Sequence, residues 1–236
     1  MKRAAIIAQC VAVALIAAPA TAQEISPDII KATTGEWLFA RRDGKPGCRI
    51  ILSAEKTIGG YALTAPANCA TRLPKIAEAA AWRFDGKGGL ALADATRKTI
   101  VTVTERQEGS FWEGESGEAR DLVMIKAPKG VEALPMAKAL FGKWIMRRPG
   151  GPAICEATLL DKPPPGGEES FALTLSPTCD AAVKKLKLAS WRIETLDLQL
   201  YGTDGEGLAF TPRADGNFSK SARAGGRPLE FVRASR

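Results

Sequence analysis

The sequence predicts an all-β protein built as two tandem small antiparallel β-barrels of eight strands, each carrying one disulfide. Three observations lead there: a long internal repeat, short apolar runs separated by turn residues, and cysteines spaced alike in both copies. Residues 35–48 read GEWLFARRDGKPGC and residues 142–155 read GKWIMRRPGGPAIC. Gly35, Trp37, Arg41 and Cys48 thus recur as Gly142, Trp144, Arg148 and Cys155, 107 positions later. Cys69 is followed by Trp82 as Cys179 is by Trp191. Leu92 and Ile100 are eight apart, as are Leu200 and Leu208, and DLVMI (121–125) aligns with PLEFV (228–232). An offset that returns after small gaps marks two homologous units of about 95 residues, too long a period for a solenoid.

In the first unit the strand candidates are EWLFAR (36–41), CRIILS (48–53), GYALT (60–64), AAWRF (80–84), GLALAD (89–94), TIVTVTE (99–105), SFWEG (110–114) and DLVMIK (121–126). The intervening RDGKPG, TIGG, DGKGG, RQEG and ESGE supply Gly and Asp for turns. Short strands at regular spacing indicate a sandwich or barrel, and eight of them suit an up-and-down barrel without exposed edges. The pattern alone leaves closure open.

Ahead of the first unit, Met1–Gln23 has a basic start (Lys2, Arg3), an apolar run over 4–18, and Ala20 and Ala22 at an A-x-A exit. This is the form of a secretory signal peptide, and the run is short for a bilayer span. The expected division is a signal peptide 1–22, a first barrel with its tail 23–126, a linker 127–139 and a second barrel 140–236. Cys10 lies in IAQC, with Gln9 where a lipoprotein signal needs a small residue, so lipidation is not expected. The mature chain is expected to be periplasmic or secreted, monomeric, and without a transmembrane segment. Loss of Lys2 and Arg3 lowers its formal charge from +7 to +5. No run of like charge marks a nucleic-acid module; KKLKLASWR (184–192) reads as a solvated face.

Four cysteines remain beyond Cys10. Cys48–Cys69 and Cys155–Cys179 give the same bond in each unit, spanning 21 and 24 positions. A zinc site is the weaker reading, because the chain has no histidine and no C-x-x-C. Trp37, Trp82, Trp144 and Trp191 fall in predicted strands as matched pairs, which assigns them to the core framework rather than to a stacking platform. Trp112 aligns near Phe218, keeping an aromatic position.

The absence of histidine removes Ser-His-Asp and Cys-His catalysis and histidine general bases. Asp94 with Glu105, or Asp204 with Glu206, are poor carboxylate pairs because Asp94 and Asp204 sit beside turns. DGKGG (85–89) and PPPGGEES (163–170) lack the strand–helix context of a phosphate cradle. No catalytic residue, metal or cofactor is expected, and the chain is not expected to be an enzyme.

The ordered set G-x-W-x10-C (35–48), Cys69, LPKIAEAAAW ending at Trp82, and GLALAD (89–94) resembles the bacterial protease-inhibitor family. That family includes periplasmic inhibitors of serralysin-type metalloproteases and an outer-membrane lipoprotein inhibitor. G-x-W-x10-C (142–155), Cys179, Trp191 and LQLYGTDG (198–205) repeat the resemblance. It implies an eight-stranded barrel with one disulfide, a protease partner such as a serralysin-type zinc metalloprotease, and blockade by a short N-terminal segment whose amine approaches the catalytic zinc. Carried onto this chain, the blocking tail is Gln23, Glu24, Ile25, Ser26 and Pro27.

Ser26 followed by Pro27 and Asp28 predicts a helix N-cap, leaving Gln23–Ile25 as a free tip. The plain alternative is a spacer left after cleavage. Cyclisation of Gln23 would remove the amine. The second unit follows GVEALPMAKALF (130–141), which has no free terminus, so that unit binds another surface or partner, or serves as a structural copy. Pro128, Gly130 and Pro135 read as a linker with little fold of its own. The rival to inhibition is a binding module for a small molecule or an envelope component; a structural spacer is the third class.

Overall fold

The computed structural model describes residues 25–107, 111–165, 167 and 169–234. The first eight strands are β1 Gly35–Arg41, β2 Cys48–Thr57, β3 Gly60–Thr64, β4 Ala81–Phe84, β5 Gly89–Ala93, β6 Thr99–Gln107, β7 Phe111–Gly114 and β8 Leu122–Ile125. Each pairs antiparallel with its neighbour and β8 returns to β1, so barrel 1 is closed. β9 Gly142–Arg147, β10 Ala153–Leu159, β11 Phe171–Leu175, β12 Leu188–Glu194, β13 Asp197–Gly202, β14 Gly207–Pro212, β15 Phe218–Lys220 and β16 Glu230–Arg233 close barrel 2 in the same order.

Short helices occupy equivalent places. α1 (Pro27–Thr33) precedes β1; α2 (Cys69–Arg72) and α3 (Pro74–Ala77) lie between β3 and β4; α4 (Ala137–Leu140) precedes β9; α5 (Ala181–Lys184) precedes β12. One disulfide sits in each barrel, Cys48–Cys69 with Cα atoms 5.1 Å apart and Cys155–Cys179 with Cα atoms 4.1 Å apart. Each ties the start of its barrel's second strand to the segment crossing towards the fourth strand.

Alternation sends Trp37 and Phe39 of β1 into a core with Ile50, Trp82, Leu90, Leu92, Val103, Trp112 and Met124. Barrel 2 gathers Trp144, Met146, Trp191, Leu198, Leu200, Phe210, Phe218 and Phe231 in the same way. The four matched tryptophans are 0–1 % exposed. Trp112 faces Met124 across one ladder and Phe218 faces Phe231 across the other, so the two aromatics are structural equivalents.

One detail of the repeat differs from the sequence alignment. Leu200 pairs with Leu208, whereas Leu92 pairs with Val101, not Ile100. The β5–β6 ladder has a bulge between Leu92 and Ala93 that steps over Ile100. A bulge adds one residue to a strand, so equal spacing does not imply equal facing.

Candidate functional site

Each barrel has an end where its N-terminal segment enters, together with the turns joining its second to third, fourth to fifth and sixth to seventh strands. The entry is built alike in both. Trp37 Nε1 donates to Thr33 O at 2.8 Å and Trp144 Nε1 donates to Leu140 O at 2.7 Å. Lys126 lies 4.9 Å over the Trp37 ring and donates to Ala32 O, while Arg233 lies 4.6 Å over Trp144 and donates to Ala139 O. Every position is displaced by 107 residues. The indole thus anchors the last carbonyls of a short helix, and a basic side chain covers its ring.

At barrel 1 this base is α1, which in the sequence follows the predicted tail. Gln23 and Glu24 lie outside the described residues. Ser26 caps α1, its hydroxyl accepting from Asp28 N at 3.3 Å, with Pro27 in the first turn. Ile30 packs on the core, whereas Ile25 and Ile29 are 36 % and 51 % exposed. Ile51, beside Glu36 on the adjoining strand, and Ile58, in the β2–β3 turn, are also exposed. Among the described residues these four are the exposed large hydrophobics, and all lie at or near the entry of barrel 1. Sequence reasoning singled out Ile25 but passed over Ile29, Ile51 and Ile58. An isoleucine at an outward strand position and another beside a glycine turn were the available signals.

The opposite end of barrel 1 opens into a cavity of about 760 Å³ over Leu73, Ile76 and Leu122, rimmed by Arg41, Arg42 and Arg72. These guanidiniums are already engaged. Arg41 pairs with Asp43 at 2.8 Å, Arg42 with Glu113, and Arg72 with Glu132 at 2.8 Å. The Arg41 hydrogen bond holds the Asp43 carboxyl well below the usual carboxylate range. Asp94 accepts from Thr96 Oγ1, Thr96 N and Lys98 N, and Asp204 accepts from Glu206 N, so both serve turns. No group of three or more His, Cys, Asp or Glu is arranged to hold a metal among the described residues.

A pair of closed eight-stranded barrels, each with one disulfide and a helix-anchoring tryptophan, defines a tandem small-barrel protein. The family model described as Protease inhibitor Inh matches residues 30–126 and again residues 134–233. The chain therefore belongs to the Inh protease inhibitor family, in two tandem copies. No curated protein and no solved structure gave a significant match. Among the described residues, no helix is long and apolar enough to cross a membrane.

Proposed function

We propose that the chain is an exported inhibitor of a secreted metalloprotease, and that residues 23–27 ahead of barrel 1 block the protease cleft. The observation that carries this reading is the clustering of exposed isoleucines around the base of that tail. Exposed apolar side chains cost solvation unless a partner covers them, and their confinement to one end argues for a docking face. A segment joined to a capped helix on a closed barrel loses less conformational freedom on binding than a free peptide. Export is supported by the basic-then-apolar start of the sequence and by the two disulfides, which persist in oxidising compartments.

The test is inhibition of a protease panel, including a serralysin-type zinc enzyme, by the mature chain and by a form lacking residues 23–27. The expected result is inhibition by the first and its loss in the second. No inhibition of any protease by the mature chain removes the proposal. A second reading, a small-molecule binding module, draws on the cavity at the far end of barrel 1. It predicts a co-purifying ligand and protease activity unchanged by the chain.

A further inference from the structure

The entry end of barrel 2, the counterpart of the docking face just proposed, is in contact with barrel 1. We infer that barrel 2 is a capped, non-inhibitory copy, and that the chain holds one protease at a time, through barrel 1. The inference rests on the inhibitory reading for its stoichiometry, while the capping stands on geometry alone.

Position by position, the features that expose barrel 1 are replaced in barrel 2. Ile25 and Ile29 correspond, 107 residues on, to Glu132 and Met136. Glu132 is tied to barrel 1: its carbonyl accepts from Gly47 N at 2.6 Å and its carboxylate pairs with Arg72 at 2.8 Å. Met136 lies against Gly44, where any Cβ would collide with its side chain. The chain that would form a second tail is thus strapped along barrel 1. Arg49 secures the strap by donating to Val131 O at 2.7 Å, to Ala127 O at 3.3 Å and to Pro128 O. Ile51 has Thr158 as its counterpart, which removes another apolar side chain from the equivalent surface.

Two of the turns at this end, β12–β13 and β14–β15, are also engaged. Leu196, between β12 and β13, is buried against Leu38, Ala40, Val123 and Ile125 of barrel 1. Its neighbour Thr195 has φ of 58°, a conformation that a β-branched residue enters only with strain. Ala214, between β14 and β15, approaches Gly130 so closely that a Cβ there would lie 2.7 Å away. In barrel 1 the β4–β5 turn, which corresponds to the β12–β13 turn bearing Leu196, is the polar Asp85-Gly86-Lys87-Gly88. A protease approaching barrel 2 as it approaches barrel 1 meets barrel 1 instead.

Two measurements on the mature chain test this. Titration of an inhibited protease of known active-site concentration should end at one chain per active site. An end point at half a chain, or half the inhibition surviving removal of residues 23–27, overturns the one-site inference. Hydrogen exchange is independent of any protease. The Gly47 amide, donated to Glu132 O, should exchange at least about 100-fold more slowly than an unstructured amide. Exchange at the unstructured rate overturns the capping. If the mature chain inhibits nothing, the proposed function fails, and the capping is decided by exchange alone.

Discussion

The outer walls of the two barrels carry homologous strands with different chemistry. On barrel 1, Leu38, Ala40, Val123 and Ile125 face outward and are 0–1 % exposed. On barrel 2 the same positions are Ile145, Arg147, Glu230 and Val232, and Arg147 pairs with Glu230 at 3.0 Å. The inward positions remain apolar in both. Fold is held by one face of each strand, which leaves the other face free to diverge. In barrel 1 the wall receives Leu196 from barrel 2; in barrel 2 an ion pair replaces two of the four apolar side chains and all four positions are half-buried. The asymmetry of the docked pair is therefore written on the outer faces, while the barrels inside are alike.

The strongest way to break the likeness is to remove one indole. Trp37→Ala and Trp144→Ala each empty a fully buried site and delete the hydrogen bond to the preceding helix. Each should cost about 3–5 kcal/mol, measured by denaturant unfolding. The tail base is lost in the first variant only, so inhibition should weaken there and persist in Trp144→Ala wherever the variant remains folded. Removing either disulfide by paired Cys→Ala changes should cost roughly 3 kcal/mol, with similar values for the two because the loops are of similar length.

Leu196→Ala addresses the contact between the barrels rather than either core. The buried leucine is expected to contribute about 2 kcal/mol. Calorimetry should show the two barrels unfolding more independently than in the parent; an unchanged unfolding profile would count against coupling through this contact.

Acid sharpens the comparison of the walls. Hydrogen bonds from Arg213 and Arg147 hold Glu230 below the usual carboxylate range, and those from Arg42 and Arg106 do the same for Glu113 in barrel 1, against a smaller cost of burial. A carboxylate lowered on folding stabilises the native state above its unfolded value, near ~4.3, and loses that contribution as pH falls through the folded value. Stability should therefore decline on acidification below about pH 4. Glu230→Gln should flatten this dependence for barrel 2, and pH-resolved unfolding reads it. The smallest stability effect is expected from Ile51→Thr, which copies Thr158: within ~0.5 kcal/mol of the parent, but with weaker inhibition. Unchanged inhibition would take Ile51 out of the docking face.

Much of the fold was legible because period-two alternation and turn residues are local properties. The strands of barrel 1 fall within a few residues of the runs read from sequence, and Cys48–Cys69 and Cys155–Cys179 follow from the repeat. Ser26 and Pro27 announced the start of α1. The linker was less legible. Pro128, Gly130 and Pro135 read as a spacer, and residues 127–136 contain no regular strand or helix, yet Val131 is buried and Arg49 gathers the neighbouring carbonyls. A sign was present in the continuous apolar runs WLFA and LVMI, where a strand facing water alternates. Such a run says that both faces are covered, without saying by what.

The sequence by itself determined two β units, their strand order, their internal disulfides and their tryptophan cores, since these depend on residues near in the chain or repeated at a fixed offset. Tertiary structure decided barrel closure, the step over Ile100, and the asymmetric contact in which Leu196 and the linker occupy barrel 1. Those features depend on contacts between segments far apart in sequence, where neither periodicity nor spacing specifies the partner.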